Sequence, residues 1–201
     1  MYDSMFVINA DAYWPVGILA DIAKITMGQS PSGTSYNEDS KGEIFFQGRG
    51  EFGDRFPTIR LYTTEPKRMA ESGDVLMSVR APVGDINVAY EPCCIGRGLA
   101  AIHSKEATKS FLLYTMFSLQ QQLNVFNGEG TVFGSINRDA LNTMPIVIPD
   151  KDTIQQFEKT VKPMDVLIKN NYSENRRLQS IRDALLPKLM SGEIDVSEVT
   201  I

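Results

Sequence analysis

Between residues 43 and 149 apolar and polar positions alternate in short bursts. EIFFQ (43–47), TIRLYTT (58–64), DVLMSVR (74–80), INVAY (86–90), GLAAIH (98–103) and TMPIVIP (143–149) are separated by Gly, Pro, Ser and Asn. Runs of this length, rich in β-branched and aromatic residues, predict strands. One stretch breaks the pattern. In TKSFLLYTMFSLQQQLNVF (108–126) Leu112, Met116, Leu119, Leu123 and Phe126 recur at steps of four and three, the spacing of one helix face. The reading is α+β: a mostly-β globular domain over residues 1–150, with a helix inserted before its last strand.

After Pro149 the period changes. Ile154, Phe157, Val161, Met164 and Ile168 lead to Leu178, Ile181, Leu185 and Leu189, and Asn171 and Asn175 hold the two intervening seam positions. This predicts a long C-terminal coiled-coil helix within residues 151–201. Asp150 or Asp152 can cap its start, and Gly192 sits where helices end in a left-handed residue. Pro163 and Pro187 lie inside it and each removes a backbone bond at a cost of about 3 kcal/mol, so a kink is predicted near Pro163. About 39 residues at a rise of ~1.5 Å make a rod of roughly 58 Å. One small β domain cannot cover such a length, so part of the seam must meet another helix. Asparagines in a seam lower stability but reward one register, which points to a specified partner.

Composition narrows the class. A chain of 201 residues, 42% hydrophobic and 22% charged, is that of an ordinary globular protein. No apolar run approaches the ~20 residues of a membrane span, and MYDSMFVINADAYW lacks the basic start and apolar core of a signal peptide. A cytoplasmic location is expected. Cys93 and Cys94 are adjacent and cannot pair with each other without strain, which suits a reducing compartment and two small buried hydrophobes. With His103 as the single histidine, the chain is too poor in ligands for a zinc site, and no metal is expected.

Two glycine clusters invite a nucleotide reading. Gly48, Gly50 and Gly53 have the spacing G-x-G-x-x-G after a strand, but DRFPTIRLYTT follows, and Pro57 bars the helix that a pyrophosphate would need. A tight exposed loop carrying Gln47, Arg49 and Arg55 away from the sheet is the better reading. The second cluster, NGEGTVFGSINRDAL (127–141), follows a helix and lacks the G-K-[ST] ending of a P-loop. It reads as a connector in which Thr131, Ser135, Asn137 and Arg138 supply hydrogen-bonding groups suited to base edges or phosphates. Catalysis finds little support. A triad would depend on His103 alone, placed at the end of an apolar strand, and the [DN]-P-P-[YF] signature of adenine methyltransferases is missing.

These residues resemble the specificity subunits of type I restriction-modification systems. The resemblance rests on WPVGILADIAKITMGQSPSG (14–33), GEIFFQGRG (42–50), SGDVLMSVRAPVGDINVAYEPCCIGRGLAAI (72–102), GTVFGSINRDALNTMPIVIP (130–149) and NRRLQSIRDALLPKLMSGEI (175–194), in that order. It implies a target recognition domain followed by a conserved helical region that spaces the domain and docks an adenine-N6 methyltransferase subunit. Members usually carry two of each, whereas this sequence has one of each and no internal repeat, and so resembles a half subunit. The expectation is a homodimer whose helices pair antiparallel, so that a two-fold protein reads a two-fold, bipartite site in double-stranded DNA. S-adenosylmethionine would belong to the partner methyltransferase, no cofactor to this chain, and a restriction subunit could join the complex.

Base contacts are expected from loop side chains with forked or two-sided hydrogen-bonding groups: Gln47, Arg49, Arg55, Arg80, Thr131, Ser135, Asn137 and Arg138, with Ser30, Ser32, Thr34 and Tyr36 beside them. Arginine suits guanine O6 and N7, and Gln or Asn suits adenine N6 and N7. The net charge of −5 argues the other way. Residues 1–150 hold 12 Lys+Arg against 17 Asp+Glu, and residues 151–201 hold 8 against 8. Phosphate neutralisation must then come largely from partner subunits, and the isolated chain should bind DNA weakly. The rival reading is a coiled-coil interaction module, or an inactive remnant of a longer specificity subunit.

Overall fold

The computed structural model describes residues 1–80, 82–127 and 134–194. The chain divides into two compact units, Met1–Thr160 and Val161–Ile201.

The first unit is built on two sheets. One is antiparallel in the order β2 (Ala23–Met27), β10 (Leu99–Ser104), β7 (Val75–Val79), β8 (Val83–Val88). The other runs β3 (Tyr36–Asn37), β5 (Leu61–Thr63), β4 (Glu43–Phe46), β9 (Cys93–Ile95), β6 (Met69–Ala70), with β4 and β9 parallel. A short ribbon pairs β1 (Val16–Ile18) with β11 (Pro145–Val147). All six strand runs legible in the sequence form strands. The strands that were not legible are short or lie outside those runs: β1, β2, β3, β6 and β9.

Successive side chains of a strand point to opposite faces, and β7 and β10 use both faces. Val75, Met77 and Val79 of β7, with Ala100 and Ile102 of β10, join the core under the helices, whereas Leu76, Leu99 and Ala101 join a second core with Phe46, Cys93 and Ile95 of the five-stranded sheet. This is why DVLMSVR is apolar nearly throughout: every residue of β7 is buried. Its one polar member, Ser78, donates to the Pro82 carbonyl at 2.7 Å and accepts from the Asp85 N–H at 2.9 Å, where the β7–β8 register shifts. Cys93 and Cys94 are both free and fully buried.

The inserted helix is present as α2 (Lys109–Ser118) and α3 (Gln120–Asn124), which meet at Leu119, after the short α1 (Leu19–Ile22) earlier in the chain. Leu112, Met116, Leu119 and Leu123 are buried against the four-stranded sheet, and Phe126 is partly buried beside them. The connector expected at 127–141 contains a further short helix, α4 (Arg138–Asn142). Asn137 caps it, accepting from the Ala140 N–H at 2.9 Å, and Leu141 anchors it in the core.

The long helix α5 spans Lys151–Met190, and neither Pro163 nor Pro187 ends it. Asp150 is the cap: one carboxylate oxygen accepts from the Thr153 N–H at 2.9 Å and the other from the Thr153 hydroxyl at 2.7 Å. Trp14 Nε1 donates to the same carboxylate at 3.2 Å. At the far end Gly192 adopts φ 74°, and its N–H donates to the Leu189 carbonyl at 3.2 Å. The first ten residues of α5 belong to the first unit. Here the seam reading needs correction, because Phe157 is spent inside its own domain and Val161, the next seam residue, is already buried at 5% exposure. The Phe157 ring packs at 5.3 Å from Phe6, 5.8 Å from Tyr2 and 5.9 Å from Tyr114, and Glu158 Oε1 accepts from the Phe111 N–H at 2.7 Å. Ile154 is half-buried. The N-terminal helical turn Ser4–Ile8, which supplies Phe6, has no signal in the periodicity.

Candidate functional site

The first glycine cluster is a pinned loop. Glu51, buried to 7% exposure, turns its carboxylate inward: Oε2 accepts from the Gly48 N–H at 3.2 Å, and Oε1 from Arg60 at 3.1 Å. Asn87 of β8 holds the other end, accepting from the Gly53 N–H at 3.1 Å and donating to the Gly53 carbonyl at 2.8 Å. The amides that a phosphate would need are therefore bonded to a carboxylate and a carboxamide, and no helix opens at Gly53.

The turn at 96–98 gathers several loops by backbone contact. Gly96 N–H donates to the Phe46 carbonyl at 2.8 Å, Val79 N–H to the Gly98 carbonyl at 2.9 Å, and Gln29 N–H to the Ile95 carbonyl at 3.0 Å. A side chain on Gly28 would collide with the Gly96 carbonyl, and one on Gly96 would reach 2.7 Å from the Gln47 carbonyl. Only glycine permits these approaches. From the other side, Arg80 at the end of β7 forms a bridge with Ser135, and the Ile136 N–H donates to the Val79 carbonyl at 3.1 Å. Around the turn stand Ser30, then Gln47, then Arg80 and Ser135, and Ser32 and Thr34 follow Ser30 along its loop. All are exposed except Ser30, which is half-buried. Ser30 accepts from the Arg97 N–H at 3.2 Å, and the Ser32 and Thr34 hydroxyls lie 2.8 Å apart.

Arg97 is the residue that sequence reasoning missed. It is exposed at the apex of the turn, and its signal was present, since IGRG repeats the QGRG of the first loop. Other candidates have structural work. Arg55 is not carried away from the sheet: its guanidinium lies 5.7 Å from the ring centres of Tyr114 and Phe117 on α2 and donates to the Tyr114 hydroxyl at 3.3 Å. Tyr36 donates to the Pro31 carbonyl at 3.0 Å and stacks on Phe45 at 4.8 Å. Arg49 pairs with Asp85 at 2.7 Å, both partly exposed. Asn137 is occupied as the cap of α4, and Arg138 is exposed on its first turn. Thr131 lies outside the described residues.

His103 has a structural partner as well. Its Nδ1 lies 2.7 Å from the buried carboxylate of Asp74, whose other oxygen accepts from the Glu71 N–H at 2.8 Å. Burial first, and the Asp74 charge second, push the Cys93 thiol up to about 12, where it is no nucleophile. A cavity of about 430 Å³ lies elsewhere, lined by Tyr2, Phe6, Val16, Thr115, Leu119 and Ile146, with no acid–base pair in its wall. Among the described residues no group of three or more His, Cys, Asp or Glu side chains is placed to hold a metal, and no helix is long and apolar enough to cross a membrane.

In the second unit the seam is uncovered beyond Val161, which is itself buried at 5% exposure. Met164, Ile168, Leu178, Ile181, Leu185 and Leu189 are between 37% and 55% exposed, and Asn171 and Asn175 are exposed between them. The chain thus consists of a β-rich body with polar loops gathered at one turn and a helix with an open apolar seam.

Residues 13–183 match the family described as the type I restriction modification DNA specificity domain. The chain belongs to this family. It is 37% identical over 174 residues to the putative type I restriction enzyme MjaX specificity subunit of Methanocaldococcus jannaschii, covering 86% of this chain and 41% of that protein. It is 24% identical over 195 residues to the type I restriction enzyme HindI specificity subunit of Haemophilus influenzae, covering 90% and 42%. Among solved structures, the HsdS subunit from Thermoanaerobacter tengcongensis superposes with a TM-score of 0.66 at 32% identity, over 92% of this chain and 46% of that one. The S subunit from M. genitalium shares the fold at a TM-score of 0.65 and 18% identity. The chain thus spans less than half the length of each of these relatives.

Proposed function

We propose that this chain reads DNA sequence for a type I restriction-modification complex and performs no chemistry of its own. The observation that carries the reading is the gathering of Ser30, Gln47, Arg80, Arg97 and Ser135 around one turn, with Ser32 and Thr34 following Ser30 along its loop. These side chains are of the types that bond base edges and phosphates, on a backbone fixed from within. The recognition domain is residues 1–150, and residues 151–201 are the spacing and docking region, built on α5. Two copies pair through α5 with their helices antiparallel, so the complex reads a symmetric bipartite site and directs an adenine-N6 methyltransferase that carries S-adenosylmethionine, with a restriction subunit as a further partner. The family membership and the open seam of α5 support this arrangement.

The test is a genome-wide map of N6-methyladenine in a host expressing this chain with its methyltransferase, beside a control lacking the chain. A symmetric bipartite motif that requires the chain is the expected result. An asymmetric motif would replace the second copy with a different recognition unit. No chain-dependent motif, with both proteins soluble, would overturn the recognition reading in favour of a scaffold.

A further inference from the structure

Arg49 stands where two parts of the candidate site meet. Its loop lies against the turn at 96–98, because a side chain on Gly98 would come within 3.0 Å of the Gln47 carbonyl and 3.3 Å of Gly48 Cα. Its guanidinium is paired with Asp85, Nε lying 2.7 Å from Oδ2, and Asp85 sits on β8 just past the turn that begins at Arg80. Both ends of the pair are anchored. The Phe52 N–H donates to the Arg49 carbonyl at 2.9 Å, and the Gly48 N–H before it is held by the buried Glu51. The Asp85 N–H donates to the hydroxyl of the fully buried Ser78 at 2.9 Å. The carboxylate thus approaches the Nε edge of the guanidinium, and among the described residues no other acceptor is bonded to it. Both terminal amino groups remain as a fork, on a side chain 51% exposed.

The charge of the pair decides what the fork takes. A phosphate brought to this guanidinium also meets the Asp85 carboxylate, 38% exposed, and like charges oppose the approach. A guanine edge presents O6 and N7, two acceptors with no formal charge, and fills both arms of an arginine. Adenine sets a donor beside N7, cytosine offers a donor and thymine a single acceptor, so none of them does. Arg80, Arg97 and Arg138 have no carboxylate partner among the described residues and are under no such restriction. An arginine held in place before binding also loses less rotamer freedom when it binds.

We propose that Arg49 reads a guanine of the target site through its two terminal amino groups, and that Asp85 is the positioning residue that aims the fork and keeps it off phosphates. The proposal rests on the recognition reading above and adds to it the base that one residue takes.

The full chain assembled with its methyltransferase tests it, once the methylation map has given the motif. Filter binding compares the cognate duplex with duplexes in which each G·C pair of the motif is replaced in turn, over a range of salt concentrations. Arg49→Ala should weaken the cognate site roughly 5- to 150-fold and erase the preference at one G·C position, with the slope of log K against log salt unchanged. Arg49→Lys keeps the charge and loses the fork, so it should erase the same preference, and it decides the matter if the alanine variant does not fold. Asp85→Ala should flatten the preference at that position, raise affinity for unrelated duplex, and add nothing to the loss of discrimination when combined with Arg49→Ala. A slope made shallower by about 0.9 in Arg49→Ala would mark a phosphate contact and overturn the proposal. So would a motif whose G·C preferences all survive that change, and full discrimination in Asp85→Ala would overturn the positioning role. A host in which no motif depends on the chain overturns the recognition reading itself.

Discussion

Asp150 accepts two bonds from Thr153 and one from Trp14, and the Thr153 backbone bond is the largest of the causes that hold its carboxyl below the ordinary aspartate value. A depressed carboxyl contributes stability that is fully present above its unfolded pKa of about 4 and is lost as pH falls through the lower folded value. Asp150→Asn should therefore lower Tm at neutral pH and flatten the acid side of the Tm–pH curve, as calorimetry between pH 2 and 7 would detect. Cys93 gives the opposite case. With its thiol pushed up to about 12 and no exposed surface, it should resist maleimide in the native protein at pH 8 and react once the protein is unfolded. Arg97 is exposed on a turn whose backbone is held by Gly98 and Ser30, and the proposed function gives its side chain to recognition and not to folding. Arg97→Ala should leave Tm unchanged and weaken DNA binding by the assembled complex by about 1–3 kcal/mol if the side chain reads a base. Unaltered affinity and target choice in a filter-binding assay would strike it from the reading surface.

At the scale of elements, DVLMSVR and GLAAIH are legible because both faces of β7 and β10 are buried. The elements that escaped are held by distant partners. β9 is three residues paired on one side with β4 and on the other with β6, and α4 exists through the Asn137 cap and the burial of Leu141. The same limit applies to the candidate site. QGRG and the polar loops could be seen, but the 59 positions between Arg55 and Tyr114 hide a guanidinium stacked on a helix. The periodicity of α5 was legible and its division was not, because heptad spacing is the same whether a residue packs on its own domain or on another helix. Phe157 makes the distinction measurable. Phe157→Ala should destabilise the first unit by about 3–5 kcal/mol in urea unfolding, since it empties a site ringed by Phe6, Tyr2 and Tyr114.

For the molecule as a whole, the seam from Met164 onward has no such use within its own unit. Leu178→Asp with Leu185→Asp should leave the first unit folded and abolish the dimer in light scattering, because a carboxylate on each layer desolvates badly against an apolar partner. The net charge of −5 falls entirely in the first unit, so on the proposed function the lone chain should bind DNA feebly and assembly should be a precondition of affinity. The turn at 96–98 has a consequence for how such a protein changes over generations. Apart from the Ser30 hydroxyl, which accepts from the Arg97 N–H, its loops are clamped by main-chain bonds and glycine contacts, which are indifferent to the identities of Gln47, Arg80 and Arg97. Those three positions can be rewritten without disturbing the clamp, so, on the proposed function, a host lineage could acquire a new target sequence by a few codon changes while the fold, and the machinery built around it, is inherited intact.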